Sequence, residues 1–68
     1  MSEFREDEFN ELLRYFNNQW WLEGEIKSKS FLLKDPKNVS LLNFHGLFLS
    51  NQKKYKEAQD YFDKAIKI

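Results

Sequence analysis

The chain contains no cysteine, so neither a disulfide framework nor a thiolate-bound metal can supply stability or chemistry. His45 is its only histidine, and no HExxH, glycine-rich phosphate loop or EF-hand spacing occurs. Ser50-Asn51-Gln52-Lys53 has the S-x-x-K spacing of one class of serine nucleophile, yet none of the companion motifs accompany it. A lone histidine on an apolar helix face reads as a buried, hydrogen-bonded packing residue. No catalytic residue, metal or cofactor is therefore expected. A basic excess is also missing: eleven Lys and Arg balance eleven Asp and Glu, which argues against a nucleic-acid domain with its clustered basic face. The first ten residues, MSEFREDEFN, lack the basic and apolar regions of a signal peptide. No apolar run approaches the roughly 18 residues of a membrane span. The expectation is a soluble, cytoplasmic protein with no membrane partner. Asn38-Val39-Ser40 spells a glycosylation sequon, but helix entry accounts for it better.

What the chain has instead is aromatic area. Sixty-eight residues bury only about 60% of their unfolded surface, so a domain this small is marginal. Seven Phe, three Tyr and two Trp, 18% of the chain, bring large apolar side chains to a small core. The charges are unevenly spread: residues 1 to 34 carry five basic and seven acidic residues, and residues 35 to 68 six and four. A polarity of that kind favours antiparallel self-association, although a solvated surface with unequal halves explains it as well.

Four helices follow from the spacing. Glu3, Glu6, Asp7, Glu8 and Glu11 suit the positive end of a helix starting within residues 2 to 5, and Phe9, Leu12, Leu13, Phe16 and Trp20 form its apolar stripe. The same acids could draw a divalent cation weakly, but a solvated helix start is the simpler account. Asn17-Asn18-Gln19 is the break, because asparagine tolerates a left-handed conformation. A second helix runs from Trp20 or Trp21 to Lys34, with Trp21, Gly24, Ser28, Phe31 and Leu32 on one side and Leu22, Ile26 and Leu33 on another. Two apolar faces predict a helix covered on both sides. Gly24 costs it about 1 kcal/mol relative to Ala, and Glu23 with Lys27 and Glu25 with Lys29 have the spacing of helix-surface ion pairs. Asp35-Pro36 ends it. Asn38 then caps a third helix whose Leu41, Leu42, Phe44, Leu47, Phe48 and Leu49 cover most of its circumference, making it the most central element. Ser50-Asn51-Gln52 repeats the polar break, and a fourth helix begins near Tyr55 with Asp60/Lys64 and Asp63/Lys67 outside.

Within residues 35 to 68, Pro36, Gly46, Tyr55, Ala58, Phe62 and Ala65 fall at the intervals of a tetratricopeptide (TPR) repeat, a 34-residue helical hairpin. Val39 to Ile68 resembles that family, and Asp35 to Asn38 resembles the turn that ends a preceding repeat. His45 stands where the family usually has Leu, and Lys53 replaces a frequent Gly. Upstream, Tyr15, Trp21 and Gly24 match the aromatic, aromatic and small positions, whereas Leu12 and Phe31 replace small residues. Residues 3 to 34 therefore resemble a degenerate repeat, or a hairpin that caps one true repeat.

The resemblance implies a single all-α domain, a right-handed array of two antiparallel hairpins, with Leu42, Gly46, Leu49, Tyr55, Ala58, Phe62 and Ala65 in the core. It implies a non-catalytic module that binds a protein or peptide in a groove formed by the first helix of each hairpin. The corresponding groove residues are Phe9, Leu13, Phe16 and Asn17 with Ser40, Asn43, Leu47, Ser50 and Asn51, and core packing is the competing account of Phe9, Leu13 and Phe16. The Lys and Asn set that clamps a carboxylate terminus in some members is absent at matching positions. No capping helix follows residue 68, so either the fourth helix is polar enough outside, through Lys56, Asp60, Asp63 and Lys67, or Tyr61 and Ile66 meet a second chain in a homodimer. A structural, self-associating unit with no groove in use is the alternative reading.

Overall fold

The computed structural model describes residues 6 to 68, which form four helices: α1 (Glu6–Asn17), α2 (Trp21–Lys34), α3 (Val39–Ser50) and α4 (Tyr55–Lys67). Among the described residues there is no strand. The helix start expected within residues 2 to 5, and Glu3 with it, lie outside them. Glu6, Asp7 and Glu8 fill the first turn of α1, where the helix dipole favours them.

The two hairpin turns are built alike. Trp20 N–H donates to the Tyr15 carbonyl at 2.9 Å and Gln19 N–H to the Phe16 carbonyl at 3.0 Å; Lys54 N–H donates to Leu49 and Lys53 N–H to Ser50, both at 3.0 Å. That pattern is a Schellman cap, which requires a left-handed residue just past the helix. Gln19 and Lys53 supply it, with φ of 60° and 66°. The asparagines thus do not take the left-handed position as expected. Asn18 and Asn51 instead turn their side-chain amides onto the Arg14 and Leu47 carbonyls, at 3.0 and 2.8 Å. Gln19 and Lys53 stand 34 positions apart, as do their partners, so the hairpin geometry recurs with that period. Between the hairpins, Asp35 and Pro36 close α2. Asn38 caps α3, its Oδ1 accepting from Leu41 N–H at 3.1 Å while its amide donates to Asp35 Oδ2 at 3.0 Å.

The helices pack in chain order, α1 on α2, α2 on α3, and α3 on α4 most closely. As its composition predicts, α3 is central, burying Leu41, Leu42, His45, Gly46, Phe48 and Leu49. Close approach depends on two glycines. A Cβ at Gly24 would run into the Phe48 ring, and one at Gly46 would lie 2.5 Å from Phe62. Leu12, in the α1 position that corresponds to Gly46, is fully buried and keeps α1 farther from α2. Aromatic rings fill the resulting space: Phe9 meets Phe44 edge-on at 5.1 Å, Phe16 meets Trp21 edge-on at 5.1 Å, and Phe48 lies about equally far from Phe16 and Phe44, at 6.0 Å. Such pairs add roughly 0.5–1.5 kcal/mol each beyond their buried area, which is how a small core is reinforced.

Three further expectations fail. Tyr55 is exposed, because α4 packs chiefly against α3, whereas its counterpart Trp21 is covered by Phe16 and Phe48. The second apolar side of α2, Leu22, Ile26 and Leu33, is bare. The four-residue ion pairs on α2 give way to longer-range partners, Lys27 to Glu11 at 3.6 Å and Glu25 to Lys54 at 3.1 Å. No described helix is long and apolar enough to cross a membrane.

Candidate functional site

The residues assigned to a groove divide by depth. Phe9 and Phe16 are half-buried and spend their rings on Phe44, Trp21 and Phe48. Leu13 and Ser50 are half-buried too, while Asn17, Ser40, Asn43, Leu47 and Asn51 are exposed. Asn17 and Asn51, Leu13 and Leu47, and Phe9 and Asn43 stand 34 positions apart on α1 and α3, so each pair occupies corresponding places in the two hairpins. The face is uncharged at all nine assigned positions. Asn43 makes no intramolecular side-chain hydrogen bond, and Asn51 uses only its amide N–H, leaving a carbonyl oxygen unpaired. An exposed leucine beside unpaired amides can hold an extended backbone by hydrogen bonds and one apolar side chain by contact. No titratable side chain stands among the nine.

The residues assigned to self-association differ from one another. Tyr61 is half-buried, its ring edge-on to His45 at 4.4 Å and its hydroxyl accepting from Lys29 Nζ at 2.9 Å. Lys64 lies over the same ring, 4.7 Å from its centre. Ile66 is 80% exposed.

Sequence reasoning missed a buried polar link between α2 and α3. Ser28, with no exposure, places Oγ 2.7 Å from His45 Nδ1 and donates to the Glu25 carbonyl at 3.1 Å. The hydroxyl carries one proton, so a neutral imidazole protonated on Nδ1 satisfies both bonds. Burial, aided by the nearby Lys29 charge, holds the His45 pKa down at about 4, so the ring is uncharged at neutral pH. Next to it, burial pushes the Glu25 carboxyl up, but hydrogen bonds from Gln52 at 2.7 Å and from Lys54 outweigh that and keep it below its ordinary range. Gln52 also donates to the Phe48 and Trp21 carbonyls, at 3.1 and 3.4 Å, and so ties the second turn to α2. The signal was present in the sequence: Ser28 and His45 are each the odd polar residue on an apolar helix face.

Glu25, Ile26, Lys29, His45, Glu57 and Tyr61 line an open cleft of about 290 Å³ beside this link. Ser28 itself is sealed, so the Ser–His contact cannot reach a substrate from that cleft. No group of three His, Cys, Asp or Glu suited to a metal ion occurs among the described residues. Compared with known proteins, the chain matches no family model, no curated protein and no solved structure.

Proposed function

We propose that this chain is a non-catalytic protein-interaction module, a TPR-like right-handed array of two hairpins that binds a peptide or a segment of a partner protein across α1 and α3. The observation that carries the reading is the 34-residue recurrence of the hairpin turn, with left-handed Gln19 and Lys53 in corresponding caps. It gives α1 and α3 corresponding roles, and their exposed Asn17, Ser40, Asn43, Leu47 and Asn51 then form one uncharged, amide-rich surface. Leu13 borders it, Ser50 supports it, and Phe9 and Phe16 serve the core beneath.

A test is selection of extended peptides from a random library on the full chain, followed by binding measurements on variants. Asn43→Ala and Leu47→Ala each weaken a selected peptide about tenfold or more, the loss expected for a buried hydrogen bond or apolar anchor. Ile66→Ala leaves binding unchanged. Selected peptides that ignore both α3 substitutions would place the binding surface elsewhere.

A further inference from the structure

The 34-residue recurrence lets the outer sides of α2 and α4 be compared position by position. On α4 the stripe is Lys56, Asp60, Asp63 and Lys67, charged throughout. The corresponding positions on α2 are Leu22, Ile26, Lys29 and Leu33. They recur at i, i+4, i+7 and i+11, a single band on a helix, and lie away from the buried side that carries Gly24, Ser28 and Phe31. Leu22 is 55% exposed, Ile26 63% and Leu33 77%. Lys29 does not make the band polar, because its ammonium is drawn aside to Tyr61 and its methylene stem is what remains. One hairpin thus presents a solvated outer side and the other an apolar one, and a contiguous apolar band marks an interaction surface.

The flank of the band indicates what covers it. Glu23 and Lys34 stand eleven residues apart, near its two ends and on the same side. Both are exposed, and neither has a partner among the described residues. We propose that the band is covered by α2 of a second copy, running antiparallel about a two-fold axis. Such an axis keeps one flank against the same flank while reversing chain direction, so Glu23 of each copy meets the partner's Lys34, twice over. Leu22 then comes beside the partner's Leu33, and Ile26 packs near the axis against the Lys29 stem. A parallel arrangement would put the two flanks on opposite sides of the interface, so neither Glu23–Lys34 pair would form. The interface is independent of the α1 and α3 surface proposed above, and it moves self-association from Tyr61 and Ile66 on α4 to α2.

One helix pair is a small interface, so the dimer is weak, with a dissociation constant on the order of 100 µM. Sedimentation equilibrium of the full chain, over a hundredfold concentration range about that value, resolves a monomer–dimer equilibrium. Ile26→Lys weakens it at least tenfold without lowering the thermal midpoint, since Ile26 is outside the core. Glu23→Lys and Lys34→Glu each weaken it several-fold, and the double exchange, which restores opposite charges, recovers the parent value. Ile66→Lys has no effect. A monomer at every concentration would overturn the proposal and leave the band to a different protein. A dimer indifferent to Ile26→Lys, or a double exchange as weak as either single one, would overturn it as well.

Discussion

Ser28 Oγ lies 2.7 Å from His45 Nδ1 across the α2–α3 interface, and both side chains are buried. Protonating the ring would place a charge beside Lys29 in a site that cannot solvate it. The folded pKa of about 4 lies below the ordinary 6.5, so the unfolded chain binds the extra proton first. Stability is fully present above pH 6.5, falls as pH drops from 6.5 towards 4, and loses roughly 3 kcal/mol across that window. The depressed carboxyl of Glu25 adds to the loss below its ordinary 4.5. Urea titrations at half-unit pH steps measure the slope. In His45→Leu the slope between 6.5 and 4.5 disappears; a slope that persists there in this variant would assign the acid sensitivity to other groups.

Gln19 and Lys53 hold left-handed backbone with side chains that disfavour it, at about 1–2 kcal/mol each. Glycine removes that cost but adds freedom to the unfolded chain, leaving a net gain of up to about 1 kcal/mol. Gln19→Gly and Lys53→Gly should each raise the thermal midpoint by a few degrees. The turns adjoin, since Gln52 beside Lys53 donates to the Trp21 carbonyl, so the double variant need not gain the full sum. Lys53→Val, β-branched at the same φ, should lower the midpoint instead.

Helix propensity alone favours Gly24→Ala by about 1 kcal/mol. The structure reverses the sign, because the new methyl enters the Phe48 ring, which is fully buried among Phe16, Trp21 and Phe44 and has nowhere to move. Gly24→Ala should destabilise by a net 1–2 kcal/mol, an overpacking cost larger than the propensity gain. Gly46→Ala should cost less, since half-buried Phe62 can swing outward. Denaturant midpoints of the two variants give the order directly.

Local signals made much of the fold legible. Pro36 and Asn38 mark the junction of α2 and α3, the polar breaks mark both hairpin turns, and the apolar circumference of α3 marks it as central. Each depends on residues adjacent in sequence. Helical periodicity gives the direction of a side chain but not what stands opposite, and this accounts for the misses. It could not tell that Lys27 reaches Glu11, that Glu25 reaches Lys54, or that Ser28 meets His45. It placed Tyr55 on an inward stripe with no helix there to cover it. At the candidate site the same limit applies: Asn43 and Leu47 are exposed, while Phe9 and Phe16, for which core packing is the competing account, turn their rings onto Phe44, Trp21 and Phe48, partners that periodicity does not locate.

Because α1 to α4 pack in chain order, most contacts join a helix to itself or to its neighbour along the polypeptide. The conformational search is therefore a local one. Few long loops must close before burial begins to compensate for lost entropy, which places the chain among the fast-folding helical topologies. The α3–α4 hairpin, where Gly46 admits Phe62, has the tightest contact and only a four-residue loop to close. It is the natural nucleus, on which α2 and then α1 condense.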